Sequence, residues 1–354
     1  MIVIKKIHIF FTVFLLSIAS VISAQEIFEE EKGLFATSEI EISKPIENKN
    51  SLLIKSNPEI TGKINIVASL TDKVTVKFIE KVKTESRSRA YDYIDLVTVN
   101  LKKSYEGILL VLRAPNPAPW NLETESVIIN LTITVPDSCA VDIEAFYFDV
   151  DASGPFSKMI IPKSLGRLNV YDVNGMVDLS TSNRKLTLEK IVGEISASTR
   201  NSKLEAIDIV CEKNQATFKN DGGEITIENF TGQLNIKNSY ARTDIENFNG
   251  KNGKSFIRSF SGPVLIDINE MTGGQLIILN RYDDIELMVP SHIEADFSLA
   301  VEENGKIESS NLIISPNLIE TNRLNFVTGQ GNVKITGSIR GDGNILLIGK
   351  NEDY

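Results

Sequence analysis

The chain has 354 residues, 42% of them apolar, and a net charge of −10 from 37 basic and 47 acidic side chains. A surface this acidic repels nucleic acid and anionic lipid, so the composition excludes both as general partners. Two cysteines are too few for a disulfide scaffold in a chain with ample core-forming residues, and we expect Cys139 and Cys211 to be small buried residues.

The first 24 residues have the pattern of a secretory signal peptide. Lys5 and Lys6 precede an apolar run from Ile7 to Ile18, and small residues follow up to Ala24. The run is short for a membrane anchor, which is the alternative, and no later run is long enough to cross a bilayer. We therefore expect cleavage after Ala24, a mature charge of −12 (35 basic against 47 acidic residues), and export to the periplasm, the cell surface or the medium.

A lead-in of residues 25–50 precedes one domain, predicted at 51–354. Alternating apolar residues predict strands at Leu52–Ile54, Ile64–Val67, Val74–Phe78, Ile94–Leu101 and Ile108–Leu112. The charged segment Lys81–Arg89 and the proline-rich segment Pro115–Trp120 are predicted as connections. Trp120, the single tryptophan, either anchors its loop in the core or binds a partner from it.

The segment after the proline loop holds two further candidate sites. Tyr147 lies between Phe146 and Phe148, where strand alternation would expose its ring for stacking on a sugar. Asp149 begins a stretch that starts like a calcium-binding EF-hand loop, but Ile160 stands at the twelfth position, where the loop needs an acid. We expect no metal there.

A repeat of 18 residues fills the centre of the chain. Leu168–Lys185 aligns with Leu186–Lys203 at every apolar position. Three further rows, whose first apolar residues are Leu204, Ile225 and Ile245, continue the pattern with two insertions of three residues, and a looser row begins at Val264. Apolar residues two apart, with glycine inside each row, favour short strands and oppose helix. A single row cannot bury its apolar face, so stacked rows predict an all-β solenoid, a parallel β-helix with coils of about 18–21 residues. An antiparallel β-sandwich is the competitor.

The C-terminal part contains the acidic group that an enzyme on this scaffold would use. Asp283, Asp284 and Arg281 lie one row after Asp267, but a solvated turn is the simpler interpretation in a chain with 47 acids. The segment Val289–Pro290 predicts a corner, with His292 directly after it. Arg340–Gly341–Asp342 matches an integrin-binding tripeptide, and we interpret it as part of the turn in a closing hairpin predicted over Asn332–Gly349.

This order of parts resembles the adhesin-like domains of exported bacterial β-strand repeat proteins. The features that carry the resemblance are the signal, the corner at Thr134–Pro136, the ladder of glycine-containing rows and the C-terminal segment from Asn332. It covers roughly residues 50–350 and implies a right-handed single-stranded β-helix with an envelope or surface role and no catalytic residues.

The sequence thus predicts an exported, non-catalytic β-solenoid that presents strand rows to a glycan or protein partner, without a cofactor. One alternative is a polysaccharide lyase or hydrolase on a β-helix scaffold. Another is a purely structural periplasmic protein. Histidine-based catalysis and multi-histidine zinc sites are disfavoured because the mature chain has only His292.

Overall fold

The computed structural model describes residues 26–47, 49–120, 123–314 and 316–350, so the predicted signal peptide lies outside the described residues. Within these ranges the chain forms 26 strands, all joined in a single sheet, and one helix of nine residues. The all-β prediction is confirmed. The described part of the chain contains no helix that is long and apolar enough to span a membrane.

The N-terminal part of the sheet is mixed: antiparallel pairs surround one central strand, and two further pairs of strands are parallel. Its elements are β1 Ile27–Glu31, β2 Leu34–Thr37, β3 Ile40–Pro45, β4 Ser51–Ser56, β5 Thr61–Ser69, β6 Lys73–Lys83, α1 Arg87–Asp95, β7 Thr98–Ser104, β8 Gly107–Arg113 and β9 Ser126–Pro136. The long strand β6 pairs with β9 on one side and with β2 and β3 on the other. The segment expected as a lead-in therefore contributes strands to the sheet.

The helix α1 occupies a segment predicted as a connection and a strand. The Ser86 hydroxyl accepts a hydrogen bond from the Arg89 backbone N–H at 3.3 Å and caps the helix. The side chains of Ala90, Tyr93 and Ile94 are buried, three and four residues apart as on one helical face. The strand predicted at Ile94–Leu101 is wrong in its first four residues, because Ile94 belongs to the helix and β7 begins at Thr98.

The central strands form the repeated rows. They are β10 Ala140–Glu144, β11 Phe148–Ser164, β12 Leu168–Thr181, β13 Leu186–Arg200, β14 Leu204–Asp221, β15 Ile225–Asn238, β16 Thr243–Gly250, β17 Lys254–Ser261, β18 Val264–Met271, β19 Gly274–Tyr282 and β20 Ile285–Pro290. Adjacent rows pair in parallel at an offset of 18 residues, with Leu168 opposite Leu186. After each insertion the offset is 21, as between Ala197 and Phe218. The period and insertions are confirmed, and parallel pairing distinguishes the stack from an antiparallel sandwich.

Inward-facing side chains form continuous columns through the stack. Val173, Ile191, Ile209 and Phe230 follow one another in register across four rows, and each is 1% exposed or less. Burial of each such side chain contributes about 1.5–3 kcal/mol, so the columns supply the main driving force for stacking. The predicted inward stacking of these residues is confirmed.

A buried polar column marks one corner of the rows, and we call it the corner column. Its members are Ser164, Thr181, Thr199, Asn220, Asn238, Ser259 and Asn280. In the fifth of these rows, Asn238 Nδ2 donates to the carbonyl oxygens of Ala241 and Arg242 at 2.9 and 3.1 Å. Hydrogen bonds from these buried side chains to the turn carbonyls fix the corner's geometry.

The C-terminal strands close the stack in an order that differs from the chain order. They are β21 Ala295–Val301, β22 Ile307–Ser310, β23 Pro316–Glu320, β24 Arg323–Val327, β25 Val333–Ile339 and β26 Ile345–Lys350. Strand β25 pairs in parallel with both β19 and β21, and β26 with both β20 and β22. The predicted closing hairpin is wrong, because β25 and β26 pair with other strands and form an inserted row between two earlier ones. Antiparallel β24 and β23 cover the outer edge of β21.

Candidate functional site

Three aromatic side chains follow one another at the corner of three successive rows. Tyr240 comes directly after β15, Phe260 lies in β17 and Tyr282 ends β19. The ring centroids are 5.2 Å apart for Tyr240 and Phe260 and 5.8 Å apart for Phe260 and Tyr282, both pairs edge-to-face. Tyr240 is 67% exposed and Tyr282 is 42% exposed. We call these three residues the aromatic column, and they present a continuous apolar strip to solvent.

The corner column explains why the aromatic side chains lie in line. Asn238, Ser259 and Asn280 are in register in the same three rows, and each is buried one or two residues before an aromatic. Asn280 Nδ2 donates to the carbonyl oxygens of Gly262 and Asp283 at 3.1 and 3.0 Å, which ties two neighbouring corners together. Because the buried residue is fixed at the same position in each row, the residues that follow it turn outward at the same corner of the stack.

Basic side chains border the aromatic column. They are Lys237, Arg258, Arg281 and Arg340. The Arg281 guanidinium lies 5.1 Å from the ring centroid of Phe260 and 5.4 Å from that of Tyr282, as in cation–π contacts. Arg340 Nε lies 3.6 Å from Glu302 Oε2. Lys237, Arg258 and Arg281 have no carboxylate within 4.0 Å among the described residues.

The aromatic and basic side chains line a groove of about 640 Å³. Its lining comes from β15, β17, β19 and β25, so the groove runs across the rows and parallel to the stacking direction. Two acids, Asp221 and Glu302, also lie in the lining. The size falls within the range of roughly 300–1,000 Å³ that is usual for ligand sites.

The integrin-like tripeptide contributes to the wall of this groove. The Gly341 backbone N–H donates to the Arg281 carbonyl oxygen at 2.7 Å, and the Asp342 carbonyl oxygen accepts from the Asp283 N–H at 2.9 Å. The Asp342 carboxylate accepts a hydrogen bond from Asn304 Nδ2 at 3.0 Å. The tripeptide lies in the connection from β25 to β26 with both acceptors engaged by the protein, which favours its interpretation as a turn.

The acidic group considered for catalysis does not converge on one point. Asp267 Oδ1 accepts from Lys350 Nζ at 2.5 Å, and Asp284 Oδ1 accepts from the Asn344 N–H at 2.7 Å. Asp267 is in register with Met288, four residues along the strand from Asp284. At about 3.3 Å per residue this separates the two positions by ~13 Å, beyond the separations of roughly 5–9.5 Å that glycoside hydrolysis uses. Arg281 belongs instead to the groove.

The two aromatic residues proposed as binding sites differ in exposure. Trp120 is 5% exposed; its Nε1–H donates to the Glu59 carbonyl oxygen at 3.1 Å, and its ring packs edge-on against Tyr93 with centroids 5.4 Å apart. The structure therefore favours anchoring over binding for Trp120. Tyr147 is 39% exposed, in a turn before β11 and edge-on to Phe146 at 4.8 Å. It lies outside the groove.

The other residues singled out from the sequence are two cysteines, a histidine and an aspartate, and none of them lies in the groove. Cys139 and Cys211 are buried free thiols, as predicted, and burial raises the pKa of Cys139 to about 12 and also raises that of Cys211. His292 is exposed in the turn after β20. Asp149 Oδ1 accepts the Arg167 N–H at 2.8 Å, a bond between neighbouring rows. Among the described residues no group of three or more His, Cys, Asp or Glu side chains is arranged to hold a metal ion.

The sequence reasoning did not identify the aromatic column, although a signal for it is present. An aromatic residue follows the last inward position of three consecutive rows, in the segments Asn238–Tyr240, Ser259–Phe260 and Asn280–Tyr282. Apart from Leu165, the earlier rows have small or polar residues there. When the rows are aligned by their outward-facing residues, the three aromatic side chains fall in consecutive rows.

Known protein families and curated proteins provide no match to this sequence. Several solved structures are similar to the chain. A structure described as a putative cell adhesion protein, from Clostridium sporogenes, is 12% identical over 88% of this chain and 100% of its own, with a TM-score of 0.19. One described as a putative adhesin, from Parabacteroides merdae, is 10% identical over 87% of this chain and 95% of its own, with a TM-score of 0.28.

A third similar structure is described as a putative lipid binding protein, from Parabacteroides distasonis, with 12% identity over 87% of this chain and 96% of its own and a TM-score of 0.22. Descriptions as adhesins and cell adhesion proteins thus recur among the solved structures that match the chain, and this is the class that the sequence resembles. Identities of 10–12% and TM-scores below 0.3 leave the function to be argued from the residues of this chain.

Proposed function

We propose that the chain is an exported, non-catalytic, adhesin-like protein of the cell envelope or surface that binds a glycan in its groove. In this proposal the rows are the coils of a right-handed single-stranded β-helix, and the aromatic column is the binding surface. The observation that carries the proposal is the column of Tyr240, Phe260 and Tyr282 in three successive rows, in which the two tyrosines are exposed and Phe260 is half-buried between them.

Aromatic rings in a groove suit carbohydrate because a pyranose ring has an apolar face of C–H groups and a polar rim. The apolar face packs against the aromatic surface, while the rim hydroxyls exchange hydrogen bonds with polar groups at the edge. Leaving Tyr240 and Tyr282 exposed gives the folded chain little hydrophobic stabilisation, so their position is better explained by binding than by folding.

The non-catalytic part of the proposal is supported by the arrangement of the acids. Asp267 is paired with Lys350, and Asp284 accepts a backbone hydrogen bond, so both serve contacts between rows. The enzymatic alternative predicts cleavage that disappears in the double variant Asp283→Asn/Asp284→Asn. We expect the wild-type protein to cleave none of a broad panel of polysaccharides, and turnover that this double variant removes would overturn the non-catalytic assignment.

Export is supported by the first 24 residues of the sequence, where Lys5 and Lys6 precede the apolar run and Ala24 ends it. Intact mass of the protein recovered after expression with its full N-terminal sequence tests this part. We expect a chain that begins at Gln25 or within one or two residues of it.

Glycan binding is tested with variants of the aromatic column. Tyr240→Ala and Tyr282→Ala should each weaken binding to the glycans selected from an array by roughly tenfold or more, as for loss of an aromatic contact at the centre of a site. Tyr105→Ala is the matched control, because Tyr105 is 85% exposed in the turn between β7 and β8, away from the groove. Equal binding by all three variants would contradict the proposal, and absence of any glycan ligand would favour a purely structural protein.

A further inference from the structure

We infer that the groove selects polysaccharides that carry anionic groups, namely carboxylates or sulfate esters on their sugar rings. This inference rests on the proposed glycan binding and names its ligand class. It starts from a local reversal of charge. The whole chain has a net charge of −10, yet the groove lining contains four basic side chains and two acidic ones.

Both acids of the groove have basic partners. Glu302 lies 3.6 Å from Arg340, and Asp221 lies 3.8 Å from Arg200, which is outside the groove lining. These contacts leave Lys237, Arg258 and Arg281 as cations without a carboxylate partner among the residues that the structure describes. The uncompensated charge of the groove is therefore positive.

Lys237 and Arg258 are directly opposite each other in neighbouring parallel strands. Like charges in this position repel and destabilise the sheet. The chain has 47 acids, and elsewhere on its rows it places them beside bases, as in the pair of Lys158 with Asp142 at 2.9 Å. Two opposed cations with no carboxylate within 4.0 Å among the described residues are a structural cost that an anionic ligand would remove.

Arg281 has donors available for an anion. The contacts that the guanidinium makes are with the rings of Phe260 and Tyr282, and its N–H groups donate to none of the described residues. A guanidinium that packs against an aromatic surface is held in place while its planar donors stay free to pair with a carboxylate or sulfate. The same residue thus links the surface for the sugar ring to the site for its anionic group.

The shape of the groove fits a linear polymer. Successive rows are about 4.8 Å apart, as in any sheet, and the cations occupy three successive rows in β15, β17 and β19. A chain of sugars laid along the stacking direction would meet one basic side chain per row beside the aromatic column. A single small anion would contact one of these rows and leave the others unused.

The test measures binding by titration calorimetry to three probes: polygalacturonate, dextran sulfate and neutral dextran. The variant Lys237→Gln/Arg258→Gln removes two cations but leaves the aromatic column intact. The control Lys63→Gln/Lys102→Gln changes net charge equally at two exposed lysines of β5 and β7, outside the groove. We expect wild type to bind at least one polyanion better than dextran, and the groove variant to bind it roughly tenfold or more weakly, with a reduced salt dependence.

Each outcome has a distinct meaning. Preference for polygalacturonate identifies a carboxylate ligand, and preference for dextran sulfate identifies a sulfate ligand. Equal binding of dextran and both polyanions overturns the inference but leaves glycan binding intact, whereas binding of no glycan in this test and on the array overturns both. Equal weakening by the control variant, or binding to phosphatidylglycerol vesicles that exceeds binding to every polyanion, would also overturn the inference.

Discussion

Gly341 lies against the ring of Tyr282, so that a Cβ atom placed on Gly341 would stand 2.5 Å from Tyr282 Cδ1 and 2.6 Å from Cε1. Contacts this short require the ring to move. The absence of a side chain at Gly341 therefore sets the position of the last ring in the aromatic column. This contact joins the inserted row to the groove, beside the hydrogen bond from the Gly341 N–H to the Arg281 carbonyl oxygen at 2.7 Å.

Gly341→Ala should displace the Tyr282 ring and weaken glycan binding by roughly threefold to tenfold. It should also destabilise the fold, because the added Cβ would stand 2.9 Å from the Arg281 backbone carbonyl oxygen, which cannot rotate away as the ring can. Titration with the glycan identified for the wild type measures this. The double variant Gly341→Ala/Tyr282→Ala should bind like Tyr282→Ala alone, since the added methyl group acts through the ring. Additive losses in the double variant would show that Gly341 acts on the groove by another route.

Ile191→Asp should destabilise the fold by roughly 3–5 kcal/mol, because it places an unpaired charge in an interior column that is fully buried. Val192→Asp is the matched control: the same substituent enters the same strand one residue later, where the side chain is 46% exposed. Its cost should stay near or below about 1 kcal/mol. Urea unfolding followed by circular dichroism compares the two, and similar midpoints would reject the assigned facing of β13.

Asn238→Ala should cost about 1–3 kcal/mol, because it removes a buried amide that donates to the Ala241 and Arg242 carbonyl oxygens and accepts from the Ser239 N–H. The Arg242 oxygen keeps the Ile225 N–H as a donor at 3.1 Å, so the Ala241 oxygen and the Ser239 N–H carry most of the loss. Asn235→Ala serves as control, since that side chain lies on the outward face of the same strand and makes no hydrogen bond among the described residues. Thermal unfolding should separate the two variants by several degrees. An unfolding temperature unchanged by Asn238→Ala would mean that the corner is held by its backbone alone.

Glu80 gives the fold a pH dependence. It is 4% exposed in β6, and burial, followed by repulsion from Asp95, raises the pKa of its carboxyl from the ordinary 4.5 to about 7. A carboxyl whose pKa is higher in the folded state stabilises the fold fully below pH 4.5, and this stabilisation is lost as the pH rises to about 7. Glu80→Gln removes this titration.

The free energy of unfolding of Glu80→Gln, relative to wild type, should therefore increase by about 3 kcal/mol from acidic pH to pH values above the folded pKa. Denaturant titrations across this range measure the difference. Glu80→Asp is the comparison that keeps a titrating group. Parallel stability profiles for wild type and Glu80→Gln would contradict a raised pKa.

The two thiols should be protected from alkylation in the folded protein. Cys139 and Cys211 are buried, and burial raises the pKa of both, so little reactive thiolate is present at neutral pH. Mass spectrometry after iodoacetamide treatment should show no modified cysteine in the native protein and two after denaturation. Labelling of Cys211 under native conditions would indicate that the insertion after it opens locally.

The row stack was predictable from the sequence because inward positions repeat: Leu168, Leu186 and Leu204 stand at the same place in three successive rows. The helix α1 was predictable in principle from Ser86 and the spacing of Ala90, Tyr93 and Ile94, but the charged flanks of that segment hid the period. The order of residues along the chain therefore predicts an element wherever its buried residues recur at a regular spacing.

The site was less accessible to sequence reasoning, because it depends on which rows become neighbours. Arg340 reaches the groove only because β25 lies beside β19, about 60 residues earlier in the chain. Nothing in the alternation of Val333–Ile339 distinguishes a strand in a hairpin from a strand inserted between two rows. Arg281 was considered for its acidic neighbours, and the structure shows that its partners are aromatic.

The inserted row also governs when the fold can be completed. Strands β19 and β21 both depend on β25 for a hydrogen-bonded edge, so a chain interrupted before Val333 leaves two unsatisfied edges facing each other. Such edges recruit strands from other chains, so a product truncated at this point should aggregate more readily than one that contains β25. The strand that seals the stack between β19 and β21 is thus synthesised about 60 residues after the first of its two neighbours.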